Sequence, residues 1–242
     1  MSVYVFLGPT LPIERAREEL EATYLPPVAQ GDIFRLACEM PTAIGIIDGY
    51  FGTVRSVWHK ELLWAMSKGI RLYGSASMGA LRAAETASFG MVGVGRIFED
   101  FQNGTLEDDD EVTVAHLPQE AGYKKLSTAM ANIRATVRAA VAARVINPES
   151  GLIFESTAKS LYYPERGYEA VLLRALDSGV PPAETASFKA WLPLGEVDQK
   201  AADAMEMLRV MRADERRGPG RKRVKYYFEF SEMCSANERS QD

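Results

Sequence analysis

The chain has 242 residues, of which 47% are hydrophobic and 25% are charged, and its formal net charge is −5. These values exclude disorder of the whole chain, and the negative balance argues against general nucleic-acid binding. Two cysteines are too few for a disulfide scaffold. No apolar run is long enough to cross a bilayer and the start does not resemble a signal sequence, so we expect a cytoplasmic protein.

Strands and helices alternate along the first half of the sequence. Residues 3–7 form an apolar run that Gly-Pro ends, and a helix is predicted over 13–22. Residues 43–47 have the apolar pattern of a buried parallel strand, followed by a helix over 57–68 and a returning strand over 70–73. The alternation predicts an α/β fold: a largely parallel sheet with flanking helices, built from βαβ units, plus a C-terminal helical appendage.

The pattern changes after residue 147, where helical segments separated by prolines replace the alternation. We therefore predict an α/β core domain over 1–147 and a helical C-terminal region over 148–213. Clustered basic residues and a polar end predict a tail over 214–242. Within the core domain, the run of β-branched residues at 112–114 predicts a further strand that ends at His116.

Ser77 lies where a predicted strand passes into a helix without an intervening loop. Such a turn is sharp, lifts the side chain out of the sheet and needs small neighbours, here Ser75 and Gly79. The N–H groups from Met78 onward open the helix and have no intrahelical partner, so they can stabilise a negative oxygen. The turn therefore predicts a nucleophile beside part of an oxyanion site. The simpler interpretation is a serine that caps the helix with its side chain.

A second candidate site follows the strand at 43–47. Asp48 and Gly49 come directly after it, and Gly49 permits unusual backbone angles and the close approach of a ligand. Because the strands at 43–47 and 70–73 belong to one βαβ unit, their ends point the same way. We expect Asp48, Gly49 and the Ser77 turn to lie side by side at one edge of the sheet.

A serine nucleophile needs a base, and the sequence holds two histidines. His116 is predicted at a strand end, where the catalytic groups of α/β sheets gather, whereas His59 falls within a predicted helix. We take His116 as the base. Its orienting acid is either Asp48 or a member of the acidic run, and the alternative bases are lysines; these open choices are Asp109, Asp110 and Glu111 for the acid and Lys60 and Lys124 for the base.

Other charged residues favour structural roles. The acidic run 107–111 is interpreted as a solvated loop, since no second histidine is spaced to complete a metal site. Arg82 and Glu85, about one helical turn apart, predict a supporting ion pair beside the Ser77 turn. We expect no metal ion and no cofactor.

Several long motifs, in order, resemble the TfuA-like family. They cover most of residues 3–145, and residues 197–200 fit less diagnostically. The motifs are Phe-Leu-Gly-Pro-Thr-Leu (6–11), Ile-Ile-Asp-Gly-Tyr-Phe (46–51), Ser-Val-Trp-His-Lys-Glu (56–61), Gly-Ser-Ala-Ser-Met-Gly-Ala-Leu-Arg-Ala-Ala-Glu (74–85), Asp-Asp-Glu-Val-Thr-Val-Ala-His (109–116) and Gly-Tyr-Lys-Lys-Leu-Ser (122–127).

The resemblance implies a role in peptide backbone thioamidation. Members act beside YcaO-type enzymes, which use ATP to activate an amide of a ribosomally made peptide. The TfuA-like partner is understood to hydrolyse the C-terminal thiocarboxylate of a ThiS-type sulfur-carrier protein, releasing sulfide, and to help the YcaO-type enzyme engage its precursor peptide. The implied partners are thus a YcaO-type enzyme, a sulfur carrier and a peptide.

The segment Ala-Ser-Met-Gly-Ala (76–80) is also similar to the nucleophile region of the Clp protease proteolytic subunit, in the crotonase-like group. This likeness implies Ser77 as nucleophile and the N–H groups of Met78 and of Gly49 or Tyr50 as oxyanion donors. In that family the histidine follows the serine sooner than His116 does here, so His116 rests on its predicted placement.

The expected substrate-binding residues surround the same turn. They are Gly49, Tyr50, Met78, Gly79, Ser75, Arg82 and Lys60. Two other functions stay open: a non-catalytic adaptor that presents a peptide or sulfur carrier to a YcaO-type enzyme, and a serine peptidase.

Overall fold

The computed structural model describes residues 2–52 and 54–217. These divide by their contacts into two compact units: the first holds the described residues up to 106 and those from 201 onward, and the second holds 107–200. The strands are β1 (Val3–Phe6), β2 (Thr23–Leu25), β3 (Ala43–Ile46), β4 (Arg71–Ser75) and β5 (Val92–Val94). The helices are α1 (Ile13–Glu19), α2 (Asp32–Cys38), α3 (His59–Ser67), α4 (Met78–Thr86), α5 (Arg96–Gln102), α6 (Met130–Ala142), α7 (Pro148–Ser160), α8 (Tyr168–Asp177), α9 (Pro182–Gly195) and α10 (Gln199–Arg216).

The first unit is built on a five-stranded sheet in the order β2-β1-β3-β4-β5. All four neighbouring pairs are parallel, so the predicted α/β fold with a parallel sheet is confirmed. The chain passes from β2 on one side of β1 to β3 on the other. In open α/β sheets this reversal leaves a crevice at the carboxyl ends of the strands, and ligands bind there. Here the crevice lies between the ends of β1 and β3.

Helix α10 covers one face of this sheet. Its methionines 207 and 211 lie over Gly45 of β3, where a β-carbon would come within 2.8 Å of the Met211 sulfur. Asp203, near its start, accepts a hydrogen bond from the N–H of Ile97, whereas Asp214 accepts one from the Tyr73 hydroxyl of β4. The last helix thus completes a core whose other members come from the first 94 residues.

The second unit is helical and has its own core. Helices α6 to α9 pack Phe154 and Phe188 at its centre, with ring centroids 4.8 Å apart. Arg166 is only 1% exposed, and its guanidinium is bonded to the carbonyl oxygens of Ala158, Leu161 and Asp110 and to the Asp110 carboxylate. This buried cation is therefore fully paired and holds the segments between α7 and α8.

The boundaries of the two units differ from the predicted domains. Contacts separate the units at 106 and 107 and again at 200 and 201, with α10 returning to the first unit. The division into 1–147 and 148–213 stays a prediction. Residues 214–216 belong to α10, and the remainder of the predicted tail lies, beyond residue 217, outside the described residues. Over the described residues, no helix combines the length and apolarity needed to span a membrane.

Candidate functional site

The turn at Ser77 has an unusual backbone. Ala76 has a φ of +65°, a left-handed conformation that L-residues with side chains seldom adopt. Ser77 follows with φ −122° and ψ −124°, and its N–H donates to the carbonyl of Ser75 over 2.7 Å. Its side chain makes no capping hydrogen bond to α4, so the interpretation of Ser77 as a side-chain cap is wrong. The hydroxyl is placed by the turn and the residue is 3% exposed.

Two glycines bring the start of α4 against the sheet. A β-carbon at Gly79 would overlap the carbonyl oxygen of Ile46, and one at Gly74 would overlap the carbonyl oxygen of Gly79. The N–H of Gly79 donates to the carbonyl of Ile47 over 3.3 Å. Gly79, predicted to bind substrate, therefore has a clear packing role. The N–H of Met78, at the start of α4, makes no hydrogen bond to any described residue.

Asp48 ties the ends of β1 and β3 together. The residue is 1% exposed, and one of its carboxylate oxygens accepts from the N–H groups of Gly8 and Thr10. The other accepts from the Thr10 hydroxyl over 2.6 Å. Thr10 was not predicted as a site residue, although its position shortly after the first strand placed it at the edge of the sheet where ligands bind. Asp48 thus connects the end of β3 to the segment after β1 and stabilises the crevice between the two strand ends.

Gly49 and Tyr50 differ in what their N–H groups do. The Tyr50 N–H donates to the carbonyl of Val28 over 3.1 Å, which occupies it. The Gly49 N–H makes no hydrogen bond within residues 2–52 and 54–217. A β-carbon at Gly49 would lie 2.7 Å from the Met78 side chain, so these two residues are in contact. Of the two predicted choices, only the Tyr50 N–H is occupied, and the role of Gly49 as an oxyanion donor stays a prediction.

Ser75 ends β4 and is fully buried. Its hydroxyl oxygen has no hydrogen-bond partner among the residues that the structure describes. Buried hydroxyls almost always have a partner, so this one requires an explanation.

A group of charged residues joins α3 to α4. The Arg82 guanidinium donates to the Glu85 carboxylate over 2.7 Å, which confirms the predicted ion pair. A ring nitrogen of His59 lies 2.7 Å from the same carboxylate oxygen. The Lys60 ammonium lies 5.0 Å from the ring centroid of Trp58. These contacts give Arg82 and Lys60 structural partners, and their predicted roles toward substrate stay predictions.

His116 lies in the second unit, and the strand predicted to end at it is wrong. Residues Asp109–Glu111 form a 3₁₀ turn, the chain beyond is irregular, and His116 makes one isolated bridge with Lys125. Its Nδ1 lies 2.8 Å from the carbonyl oxygen of Leu117, which orients the ring. Lys124, an alternative base, is exposed. The role of His116 as base stays a prediction.

The acidic run is held by cations, so its interpretation as a solvated loop is wrong for Asp110 and Glu111. Lys159 bonds to Asp110 and lies 2.9 Å from Glu111, which is 3% exposed, and Arg134 also binds Glu111. Burial raises the pKa of Asp110, but hydrogen bonds and charge from Lys159 and Arg166 outweigh it, so the pKa lies below its ordinary value. Asp110 and Glu111 are thus engaged by cations, and the predicted role of an orienting acid for these two residues and for Asp109 stays a prediction.

The second unit also contains a cavity of about 320 Å³. Among its lining residues, Asp198 accepts from the Lys125 ammonium and from the Asn132 amide, both over 2.9 Å. Burial, followed by the charge of Asp198, raises the pKa of the lining residue Glu196. The cavity is lined by none of the predicted site residues.

The family comparison matches the region that holds these features. The model of one family, described as TfuA-like protein, matches residues 48–167. The match begins at Asp48 and includes Ser77 and His116. No curated protein matches the sequence.

Proposed function

The chain belongs to the TfuA-like family through residues 48–167, and from that premise we propose that it hydrolyses the C-terminal thiocarboxylate of a ThiS-type sulfur-carrier protein. Family membership fits a role in YcaO-associated thioamidation. The finer proposal is that the sulfide released by this hydrolysis supplies a YcaO-type enzyme acting on a ribosomally made peptide.

One observation carries the proposal: Ser77 lies on a strained turn, and two backbone N–H groups, one in the turn and one on a residue in contact with it, have no hydrogen-bond partner among the described residues. Those groups belong to Met78, at the start of α4, and to Gly49, whose backbone contacts the Met78 side chain. Donors already fixed by the fold stabilise a developing oxyanion without reorganising during the reaction. This arrangement supports acyl transfer to Ser77.

The reaction balances as two acyl transfers. The Ser77 oxygen bonds to the thiocarboxyl carbon, the carbon–sulfur bond breaks, and the serine proton leaves with sulfur as hydrosulfide. Water then attacks the acyl-serine ester, which yields the carrier carboxylate, free serine and one proton. The N–H groups of Met78 and Gly49 would hold the oxyanion in both steps.

The burial of Ser77 restricts which substrates can reach it. Ser77 is 3% exposed, which leaves no access for bulky side chains, so the proposed substrate approaches through a thin segment of chain. The Gly-Gly tail of a ThiS-type carrier is such a chain, because its last two residues carry no side chains. Burial therefore favours a carrier tail over an ordinary peptide as substrate.

His116 belongs to the second unit, and its role as general base stays a prediction. A proton on Nδ1, donated to the Leu117 carbonyl, makes Nε2 the acceptor that a general base requires. The Asp48 carboxylate is engaged by Gly8 and Thr10, so its proposed role is to shape the site, with the Leu117 carbonyl orienting the imidazole. Replacing His116 by Ala tests this assignment separately from the nucleophile.

Measuring sulfide release from a thiocarboxylated carrier tests the function. Ser77→Ala should lower the rate at least a thousandfold because the nucleophile is removed. Ser67→Ala is the matched control, since Ser67 is exposed and its hydroxyl only donates to the Trp64 carbonyl. Release by Ser77→Ala at the wild-type rate, with the fold verified by circular dichroism, would contradict the serine mechanism.

The alternative is an adaptor that presents the carrier or peptide to a YcaO-type enzyme without hydrolysis. The burial of Ser77 is the observation that favours it. An adaptor would bind the YcaO-type enzyme and support thioamidation with the Ser77→Ala variant as well as with the wild type, without releasing sulfide from any thioacid.

A further inference from the structure

The hydroxyl of Ser75, at the end of β4 and two residues before Ser77, is an unsatisfied polar group. Ser75 is 0% exposed, and its oxygen has no hydrogen-bond partner among the described residues. Removing a hydroxyl from water without replacing its hydrogen bonds destabilises a fold. A catalytic or binding role is one of the established reasons for which a protein keeps such a group.

Other buried hydroxyls of the first unit have partners. The Thr10 hydroxyl donates to Asp48, and the Thr86 hydroxyl donates to the Arg82 carbonyl over 2.6 Å. Thr86 is 2% exposed and Thr10 is equally buried. The fold therefore pairs hydroxyls at comparable depth, and Ser75 is an exception to its own pattern.

The position of Ser75 links it to the nucleophile. Its carbonyl accepts the Ser77 N–H over 2.7 Å, so one tight turn carries both hydroxyls. Side chains alternate along a strand, and Ser75 shares the face of Tyr73, away from the Gly74 face on which α4 packs. The Ser75 hydroxyl thus borders the turn from the side opposite to the helix that supplies the Met78 N–H.

We propose that the Ser75 hydroxyl donates a hydrogen bond to the acyl group of the bound thiocarboxylate while Ser77 attacks it. The inference rests on the proposed function and adds a third donor, from a side chain, to the two backbone N–H groups. The partner must be an oxygen or sulfur acceptor on a chain thin enough to enter a closed site. A thiocarboxyl group at the end of a glycine tail meets both requirements.

The test combines stability, binding and rate for Ser75→Ala. Sulfide release is measured with a thiocarboxylated carrier, and binding is measured as the rise in melting temperature caused by a peptide ending in Gly-Gly carboxylate, the product. The matched control is Thr86→Val, which removes a paired hydroxyl at similar depth and lies outside the proposed machinery. Ser75→Cys has a side chain of nearly the same size that is a weaker donor, so it separates the loss of the hydrogen-bond donor from a change in packing.

We expect Ser75→Ala to melt at or above the wild-type temperature, because an unsatisfied group is gone, yet to lose about tenfold in kcat/KM and most of the peptide-induced shift. Ser75→Cys should fall between it and the wild type. Thr86→Val should melt lower with unchanged kcat/KM. If Ser75→Ala keeps the wild-type kcat/KM and peptide-induced shift, this inference is overturned and the proposed function is not. A lower melting temperature of Ser75→Ala with an unchanged rate would have the same consequence. A wild type that releases no sulfide would overturn the proposed function and this inference with it.

Discussion

Ala76 bears the conformational cost of presenting Ser77. Its φ of +65° costs an L-residue about 1–2 kcal/mol relative to an ordinary conformation. The cost is met by packing, since Ala76 is fully buried in the core that α10 completes, and by the hydrogen bond from Ser77 to Ser75. Strain of this kind persists only where the surrounding structure determines the backbone, and it concentrates at functional sites.

Gly79 fixes how closely α4 approaches the sheet, and its replacement should be costly. In Gly79→Ala the new methyl group would overlap the backbone carbonyl of Ile46, which cannot rotate away. We expect the free energy of unfolding to fall by about 3 kcal/mol, measured by urea denaturation. Gly167→Ala is the control, because no atom lies within 4 Å of its β-carbon position, and it should change stability by less than about 1 kcal/mol. Equal losses in both variants would contradict the packing argument.

At the scale of elements, the 3₁₀ turn Asp109–Glu111 is stabilised by charge instead of regular pairing. Lys159 and Arg166 reach it from α7 and from the segment before α8. Because the pKa of Asp110 is held below its ordinary value of 3.8, the folded state binds fewer protons than the unfolded state in this range. The stabilisation from Asp110 is therefore present above about pH 4 and is lost as the pH falls through the lowered pKa.

Asp110→Asn should remove this acid sensitivity. We expect the melting temperature of the variant to change less than that of the wild type between about pH 5 and pH 2. At neutral pH the variant should lose about 1–3 kcal/mol, because the buried Arg166 guanidinium keeps only carbonyl partners. Asp108→Asn is the control, since the Asp108 side chain is 69% exposed and its removal should have little effect. An unchanged pH profile in Asp110→Asn would refute the assignment.

Local pattern was enough to predict β3, β4 and the turn between β4 and α4. Ile44 and Ile46 lie in an uninterrupted apolar run, and this pattern is typical of a buried parallel strand. The run 112–114 has the same β-branched residues, but strands need a neighbour. The Val112 carbonyl instead accepts from the Lys200 ammonium, and the Thr113 hydroxyl donates to the Asp109 carbonyl. The contact with Lys200, 88 residues away, could not be predicted from the local sequence.

Part of the site was also predictable, because it follows from the local pattern of strands and helices. The juxtaposition of the ends of β3 and β4 follows from one βαβ unit, and the pairing of these strands confirms it. The hydrogen bond from Thr10 to Asp48 forms because β1 lies beside β3, and this neighbourhood is set by the strand order of the sheet. The orphaned hydroxyl of Ser75 depends on the complete packing around it and has no signature in sequence.

At the scale of the molecule, the first unit depends on a helix that arrives late in the chain. Met207→Ala combined with Met211→Ala would open a cavity over Gly45, because both side chains cover it. We expect a loss of about 4 kcal/mol or more in the unfolding of the first unit, measured by urea denaturation. Arg209→Ala on the exposed side of α10 is the control and should cost less than about 1 kcal/mol. A double variant as stable as the control would show that α10 does not complete this core.

The place of α10 in the chain sets the order in which the protein matures on the ribosome. All five strands emerge within the first 94 residues, but the helix that covers one sheet face begins only at residue 199. During the synthesis of about a hundred intervening residues, the apolar face formed by β1, β3 and β4 stays exposed. Exposed apolar surface of this kind aggregates with other nascent chains unless it is shielded. The turn around Ser77 likewise lacks the cover of α10 until that helix has been made, so a chain truncated before residue 199 would carry the serine without the enclosure that the proposed reaction requires.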